Sequence, residues 1–192
     1  MIPPLVRDSF CSFCGAPYGS PVGAYPRTCA SCQTAVWSNP IPVSVVLVPI
    51  EGHAAVGPNE LGLLVVRRAI EPRRGKLALV GGFLEDHETW AQGGAREIKE
   101  ETGVVVDPAT LTTFWFTSTE PRPNRVLLFS VAAPLPVTAL GTFSANAETG
   151  ERGLIFGPEG LEDIFAFPLH TEAARRFFAS RGQQGAHRYA IA

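Results

Sequence analysis

The sequence predicts an α+β domain preceded by a small four-cysteine zinc ribbon. Three observations lead there. All four cysteines stand near the start, as the pairs Cys11/Cys14 and Cys29/Cys32, each a C-x2-C. Runs rich in β-branched residues, at 43–50, 61–68 and 125–133, read as strands. Two segments with helical periodicity and recognisable ends, beginning at Thr89 and at Thr171, read as helices.

The chain has 192 residues, room for one ordinary domain and a small appendage. With 45% hydrophobic and 18% charged residues it can bury a core. Its net charge of −2 gives no basis for broad electrostatic attraction to nucleic acid or to a membrane surface. No apolar run approaches the roughly 20 residues that span a bilayer. The opening MIPPLVRDSF lacks the basic and then apolar pattern of a signal peptide. A cytoplasmic protein is expected. The expected divisions are residues 1–38 as ribbon, 39–182 as main domain and 183–192 as a flexible tail.

Residues 1–10 are expected to be a poorly ordered lead. The two cysteine pairs then have the spacing of a four-cysteine zinc site, each pair forming a knuckle that turns two thiolates inward. Gly15 suits the first turn. Pro17, Gly19, Pro21, Gly23 and Pro26 lie between the pairs, a stretch that needs a staple to fold. Two disulfides or four free thiols are the alternatives, and disulfides require an oxidising compartment. Beyond Arg7 and Arg27 the ribbon has little basic charge, so a structural or dimer-forming role is expected rather than nucleic-acid reading.

After a proline-containing hinge, 38–42, Val43 to Ile50 and Leu61 to Arg68 are expected to pair as a hairpin. Arg67 and Arg68 close the second strand. Either could contact a phosphate, and both could equally be surface charges. Leu77 to Val80 is a short strand leading into Gly81-Gly82. Extended structure follows at 104–107 and 111–117, a turn at 119–124, and a strong strand from Arg125 to Ala133. Asn146 to Glu151 is expected as a loop, followed by extended chain at 154–156. The last helix is expected over 171–180, capped by Thr171 and closed by Gly182, with Ala174, Phe177 and Phe178 inward. His170 is placed at the entry to that helix. His187 is read as a solvated tail residue.

The most informative stretch is Gly82 to Val104, GFLEDHETWAQGGAREIKEETGV. Thr89 and Gln92 form a capping box, and Gly103 is the expected stop. Ala91, Ala95, Ile98 and Thr102 share a stripe that can face a core, with Glu97, Glu100 and Glu101 in an arc of about 100° on the far side. Three carboxylates so close call for a cation, and hard divalent ions take oxygen ligands. The alternative is a solvated helix face with an ordinary Arg96–Glu100 pair. Gly93 and Gly94, inside the helix, predict a close backbone approach, since each costs about 1 kcal/mol relative to alanine.

Gly82, Glu88, Arg96, Glu97, Ile98, Glu100, Glu101, Gly103 and Val104 fit G-x5-E-x7-R-E-U-x-E-E-x-G-U at every specified position, U being bulky and apolar. This run resembles the box of the Nudix hydrolases. The resemblance implies an α/β/α sandwich around a mixed sheet, and hydrolysis of a nucleoside diphosphate linked to another group. It assigns Glu97, Glu100 and Glu101 to catalytic Mg²⁺ or Mn²⁺, with Arg96 and Glu88 supporting the site. It further suggests an extra carboxylate from a later loop, here Glu148 or Glu151, as base or metal ligand. A zinc ribbon held by Cys11, Cys14, Cys29 and Cys32 before such a domain resembles the NADH pyrophosphatase branch, and homodimerisation is expected on the same ground. The S-Q-P-W-P-F-P-x-S run of that branch is absent, so the expected substrate is an ADP-ribose-like compound or a dinucleotide, NADH included. The other readings are cleansing of oxidised nucleoside triphosphates and a non-catalytic nucleotide-sensing or interaction protein.

Overall fold

The computed structural model describes residues 8–18, 25–54, 60–120 and 124–192. The lead residues 1–7, Gly19, Pro21 and Gly23 of the ribbon, and residues 121–123 of the expected turn fall outside them. The chain divides into two compact units, Met1–Pro40 and Ile41–Ala192.

In the first unit, β1 (Arg27–Thr28) pairs antiparallel with β2 (Ala35–Val36). Both cysteine pairs make the same turn. The amide of Gly15 donates to the carbonyl of Cys11, and that of Gln33 donates to the carbonyl of Cys29, each at 2.9 Å. Gly15 and Gln33 both have positive φ, 75° and 59°. Glycine takes this conformation without cost, whereas Gln33 adopts it against a mild steric penalty.

In the second unit, nine strands join in one mixed sheet among the described residues. They are β3 (Ile41–Leu47), β4 (Pro49–Glu51), β5 (Gly62–Arg68), β6 (Leu77–Phe83), β7 (Thr112–Ser118), β8 (Arg125–Val131), β9 (Leu135–Pro136), β10 (Thr149–Phe156) and β11 (Arg188–Ile191). The main path runs β11-β10-β5-β6-β3-β8-β7. β3 and β8 are parallel, as are β4 and β9; the other pairs are antiparallel. Helix α1 (Trp90–Thr102) covers one face and α2 (Pro168–Ser180) the other. Because strand side chains alternate, Val45, Leu47, Val65 and Leu79 pack with Phe177 and Phe178 of α2. Val46, Val48, Val66 and Val80 pack with Ile98 of α1. Burial on both faces explains why these strands read as unbroken apolar runs. No helix among the described residues is long and apolar enough to cross a membrane.

Several elements differ from expectation. The 43–50 and 61–68 runs form a hairpin only at their near ends, where Pro49 faces Leu63 and Ile50 faces Gly62. Beyond Val48 the chain bends away, and β6 inserts between β3 and β5. Residues 104–107 form no strand. α2 begins at Pro168, three residues before Thr171, with Phe167 as N-cap and no side-chain cap. Proline suits the first helical position, where its missing N–H is not needed, and Thr171 is buried within the helix. Ala174, Phe177 and Phe178 do face inward.

The expected flexible tail, 183–192, is instead partly β11, which covers the edge of β10 with Gly153 opposite Ile191 and Phe156 opposite Arg188. The Tyr189 ring lies over Gly153, where an added Cβ would strike it. An exposed strand edge is thus paired. His187 is not simply solvated: its amide and Nδ1 both reach the Glu159 carbonyl, at 3.0 and 2.8 Å.

Candidate functional site

Helix α1 is capped as its sequence predicts. Thr89 Oγ1 accepts from the Gln92 amide at 3.3 Å, and Gln92 Oε1 accepts from the Thr89 amide at 2.8 Å. Gly103 closes it with φ 77°. The expected close approach at Gly93 and Gly94 is present. A Cβ on Gly94 would lie 2.8 Å from Val46 Cγ2, and one on Gly93 would lie 2.7 Å from Glu88 Oε1. The helix therefore sits directly on β3 and on the loop carrying Glu88.

That seating gives the three box glutamates different environments. Glu97 is buried against Gly82, whose missing side chain leaves the space its carboxylate occupies. Glu101 Oε2 accepts from the Gly81 amide at 3.0 Å. Glu100 is exposed. The expectation of three carboxylates turned away from the core thus holds for Glu100 only. Helical twist against a crossing strand carries the other two against β6 at Gly81 and Gly82.

Arg96 organises the cluster. Its Nε and Nη2 donate to the two oxygens of Glu88, at 3.1 and 2.8 Å. Its Nη1 donates to Glu97 at 2.8 Å and to Glu100 at 3.0 Å, and its Nη2 also reaches the Phe83 carbonyl at 3.0 Å. Bidentate guanidinium geometry of this kind fixes both partners. Arg96 holds the Glu88 carboxyl below its ordinary range, and Glu88 in turn holds the arginine firmly protonated.

The other carboxylates crowd against β6 at Gly81 and Gly82. Burial raises the Glu97 carboxyl against the pull of Arg96, and neighbouring Glu100 and Glu148 push the same way. Burial drives Glu101 up to about 8 despite the Gly81 hydrogen bond, with the charges of Glu97 and Glu148 adding to the rise. Arg68 opposes it. Crowded carboxylates whose protonation is favoured by their own repulsion are a donor set that a hard divalent cation suits. Their oxygens do not form one tight group: among the described residues only the four cysteines place all ligand atoms within 4.8 Å of one another. Arg96 engages an oxygen of both Glu97 and Glu100.

The later carboxylates separate clearly. Glu148 lies in the loop before β10 and its charge acts on both Glu97 and Glu101. Asn146 ties that loop to the helix, donating to the Glu100 carbonyl at 2.8 Å and accepting from the amides of Glu148 and Thr149. Glu151, expected in the same loop, stands inside β10 and is held elsewhere, by Tyr189 Oη at 2.6 Å and Arg67 Nε at 2.8 Å. The two strand-end arginines separate likewise. Arg67 belongs to Glu151, whereas Arg68 stacks on Phe167 and acts on Glu101.

Two contributors escaped the sequence reading. Asn146 is one. The other is Arg152, fully buried, whose guanidinium donates to the carbonyls of Thr102, Leu140 and Gly141 at 2.7, 2.6 and 2.9 Å. It ties the end of α1 to β10, and burial lowers its pKa from the ordinary arginine value.

In the first unit the cysteines are not disulfide-bonded. Sγ of Cys11 lies 3.9 Å from that of Cys32, and Cys14 lies 3.7 Å from Cys29. A disulfide needs about 2.0 Å. Four thiolates at about 2.3 Å from one tetrahedral ion would stand about 3.8 Å apart, which matches. Backbone amides, that of Cys14 foremost, lower the Cys11 thiol to about 6, whereas Cys14, despite the backbone hydrogen bond from Ala16, is raised to about 11 by the neighbouring Cys32 thiol and by burial, so the metal-free cluster does not hold four thiolates at once.

The sequence model of the NUDIX domain matches residues 41–179. Among curated relatives, the NAD-capped RNA hydrolase NudC of Salmonella heidelberg (strain SL476) is 24% identical over 175 residues, covering 87% of this chain and 57% of that protein. The chain thus spans little more than half the length of the relatives it matches. Among solved structures, a NUDIX hydrolase from Nitrosomonas europaea superposes with TM-score 0.62 at 26% identity, covering 92% of this chain and 95% of that one. The NUDIX domain of Shewanella oneidensis NrtR complexed with ADP ribose superposes with TM-score 0.57 at 18% identity, over 74% and 90% of the two chains. The box at Gly82 to Val104, the sandwich that seats it and the family match over 41–179 agree, and this chain belongs to the Nudix family.

Proposed function

We propose that this chain hydrolyses the diphosphate of a nucleoside diphosphate linked to a second group, an ADP-ribose-like compound or a dinucleotide, with a divalent metal. The reading rests on one observation: Glu97 and Glu101 of α1 meet β6 at Gly82 and Gly81, where the charge of Glu148 acts on both and that of Arg68 acts on Glu101. The relatives support the substrate class, one being named for NAD-capped RNA and one solved with ADP ribose. NADH remains in that class, although the S-Q-P-W-P-F-P-x-S run is missing.

In this reading Glu97, Glu100 and Glu101 hold Mg²⁺ or Mn²⁺, and Arg96 with Glu88 orients them. A bound divalent ion neutralises diphosphate oxygens and acidifies water. Arg68 faces the anionic substrate, and Glu148, rather than Glu151, accepts the proton of the attacking water at its carboxylate. Cys11, Cys14, Cys29 and Cys32 hold structural Zn²⁺. The chain works in the cytoplasm as a homodimer on a small nucleotide.

The test is product release from ADP-ribose, NADH, NAD⁺, dinucleoside polyphosphates and oxidised nucleoside triphosphates, with Mg²⁺ or Mn²⁺, for wild type and Glu101→Gln. Cleavage of ADP-ribose or a dinucleotide, lost in the variant, is expected. Cleavage of oxidised triphosphates alone would replace the substrate class. No cleavage by folded, zinc-loaded protein would remove the catalytic reading.

A further inference from the structure

A cleft of about 510 Å³ opens beside the end of β5, lined by Arg67, Arg74, Lys76, Asp163, His187 and Tyr189. Its apolar wall includes Leu77 and Ile164, which belong to the core under α2. The box helix packs on the other face of the sheet. None of the side chains that line the cleft belongs to the carboxylate cluster around Gly81 and Gly82.

Its charge is opposite to that of the box. Three permanent cations face a single lining carboxylate, Asp163. Lys76 Nζ donates to the backbone carbonyl of Asp163 at 2.6 Å, a neutral acceptor that holds the ammonium in place without cancelling its charge. Arg74 is exposed and has no acidic partner among the described residues. Arg67 is partly offset by Glu151, but that contact also orients it. Its Nε is fixed on Glu151 at 2.8 Å and its Nη1 on the Gly75 carbonyl at 3.0 Å, while Tyr189 Oη braces Glu151 at 2.6 Å. Its Nη2 makes no hydrogen bond among the described residues. His187 Nδ1 donates to the Glu159 carbonyl at 2.8 Å, since a carbonyl oxygen only accepts.

We propose that this cleft is a second anion site, taking the phosphate group of a small phosphorylated compound such as a nucleoside monophosphate. Guanidinium and ammonium groups are the side chains that bind phosphate, and here one guanidinium is braced before any ligand arrives. The volume exceeds what a lone phosphate fills and lies in the range of small-ligand pockets, leaving room for an attached nucleoside beside Tyr189 and Leu77. The proposal does not depend on the hydrolytic reading, since none of these side chains belongs to the box.

Titration calorimetry on the full, zinc-loaded chain without added divalent metal tests it, with AMP as probe and inorganic phosphate as competitor. AMP is expected to bind, to weaken at least tenfold in Arg74→Glu, to weaken less in Arg74→Gln, and to bind Glu101→Gln as it binds wild type. Amide shifts at Gly75, Lys76 and Tyr189 should accompany binding. Displacement of AMP by phosphate supports recognition of the phosphate group. The proposal is overturned if no AMP binds at millimolar concentration, if Arg74→Glu binds as wild type does, if Glu101→Gln abolishes binding, or if phosphate fails to displace AMP.

Discussion

The carboxylate of Glu97 occupies the space that a side chain at Gly82 would need. The glycine is thus required for the site's shape rather than for its backbone conformation, since its φ is not in the left-handed region. Gly82→Ala is expected to displace Glu97 and lower kcat by about 100-fold, the scale of a disturbed ligand set. Overpacking should cost about 1–3 kcal/mol of stability. Kinetics beside urea denaturation checks this. Wild-type kcat in the variant would show that the position of Glu97 does not matter.

Arg96 bridges Glu88, Glu97 and Glu100. Glu88 and Glu97 are mostly enclosed, whereas Glu100 is solvated and adds little. Arg96→Met leaves two enclosed carboxylates without a counter-charge and is expected to cost about 3 kcal/mol. Arg96→Lys should recover only part of this, because one ammonium cannot reproduce the fork to both oxygens of Glu88. Chemical denaturation of both variants measures the difference. Full recovery by lysine would mean that charge alone suffices.

His170 reports on the other face. It is buried, its Nδ1 accepts from the Leu79 amide at 3.1 Å, and burial, helped by Arg68, lowers its pKa from 6.5 to about 3. Above pH 6.5 both folded and unfolded chains carry neutral His170. Between about 6.5 and 3 only the unfolded chain takes up the proton, so stability falls as pH falls. The slope contributed is about 1.4 kcal/mol per pH unit well below 6.5. Denaturation midpoints at pH 7 and 5.5 should therefore differ less in His170→Asn, whose Oδ1 takes the place of Nδ1 and can still accept from Leu79. Equal pH dependence in the two proteins would show that His170 is not the group responsible.

The thiol cluster predicts one zinc per chain by elemental analysis. Cys14→Ser should lower that content and loosen the first unit, seen as faster amide exchange at Cys29 and Gln33. Amides of β3 and β6 should exchange as before, because the second unit has its own core. Unchanged zinc content in the variant would remove Cys14 from the ligand set.

The sequence by itself determined the features set by local chemistry. Thr89, Gln92 and Gly103 delimit α1 because caps act within one helical turn, and the C-x2-C pairs make knuckles because two thiols three residues apart can turn to one point. The box pattern revealed the family for the same reason, since its spacing encodes a single loop and helix. Tertiary structure decided what depends on distant chain segments. Only the crossing of α1 over β6 shows that Glu97 and Glu101 are packed against Gly82 and Gly81 while Glu100 stays in water. Glu148 and Glu151, three residues apart, are assigned to different neighbourhoods only once β10 pairs with β5 and places Glu151 beside Arg67. Nothing local marks Arg152, whose role appears only when the carbonyls of Thr102, Leu140 and Gly141 converge on it. The tail became β11 because β10 offered it an open edge and Gly153 made room for Tyr189. Local sequence specifies caps and turns through short-range hydrogen bonds. Which charges meet is set by packing between segments far apart in the chain.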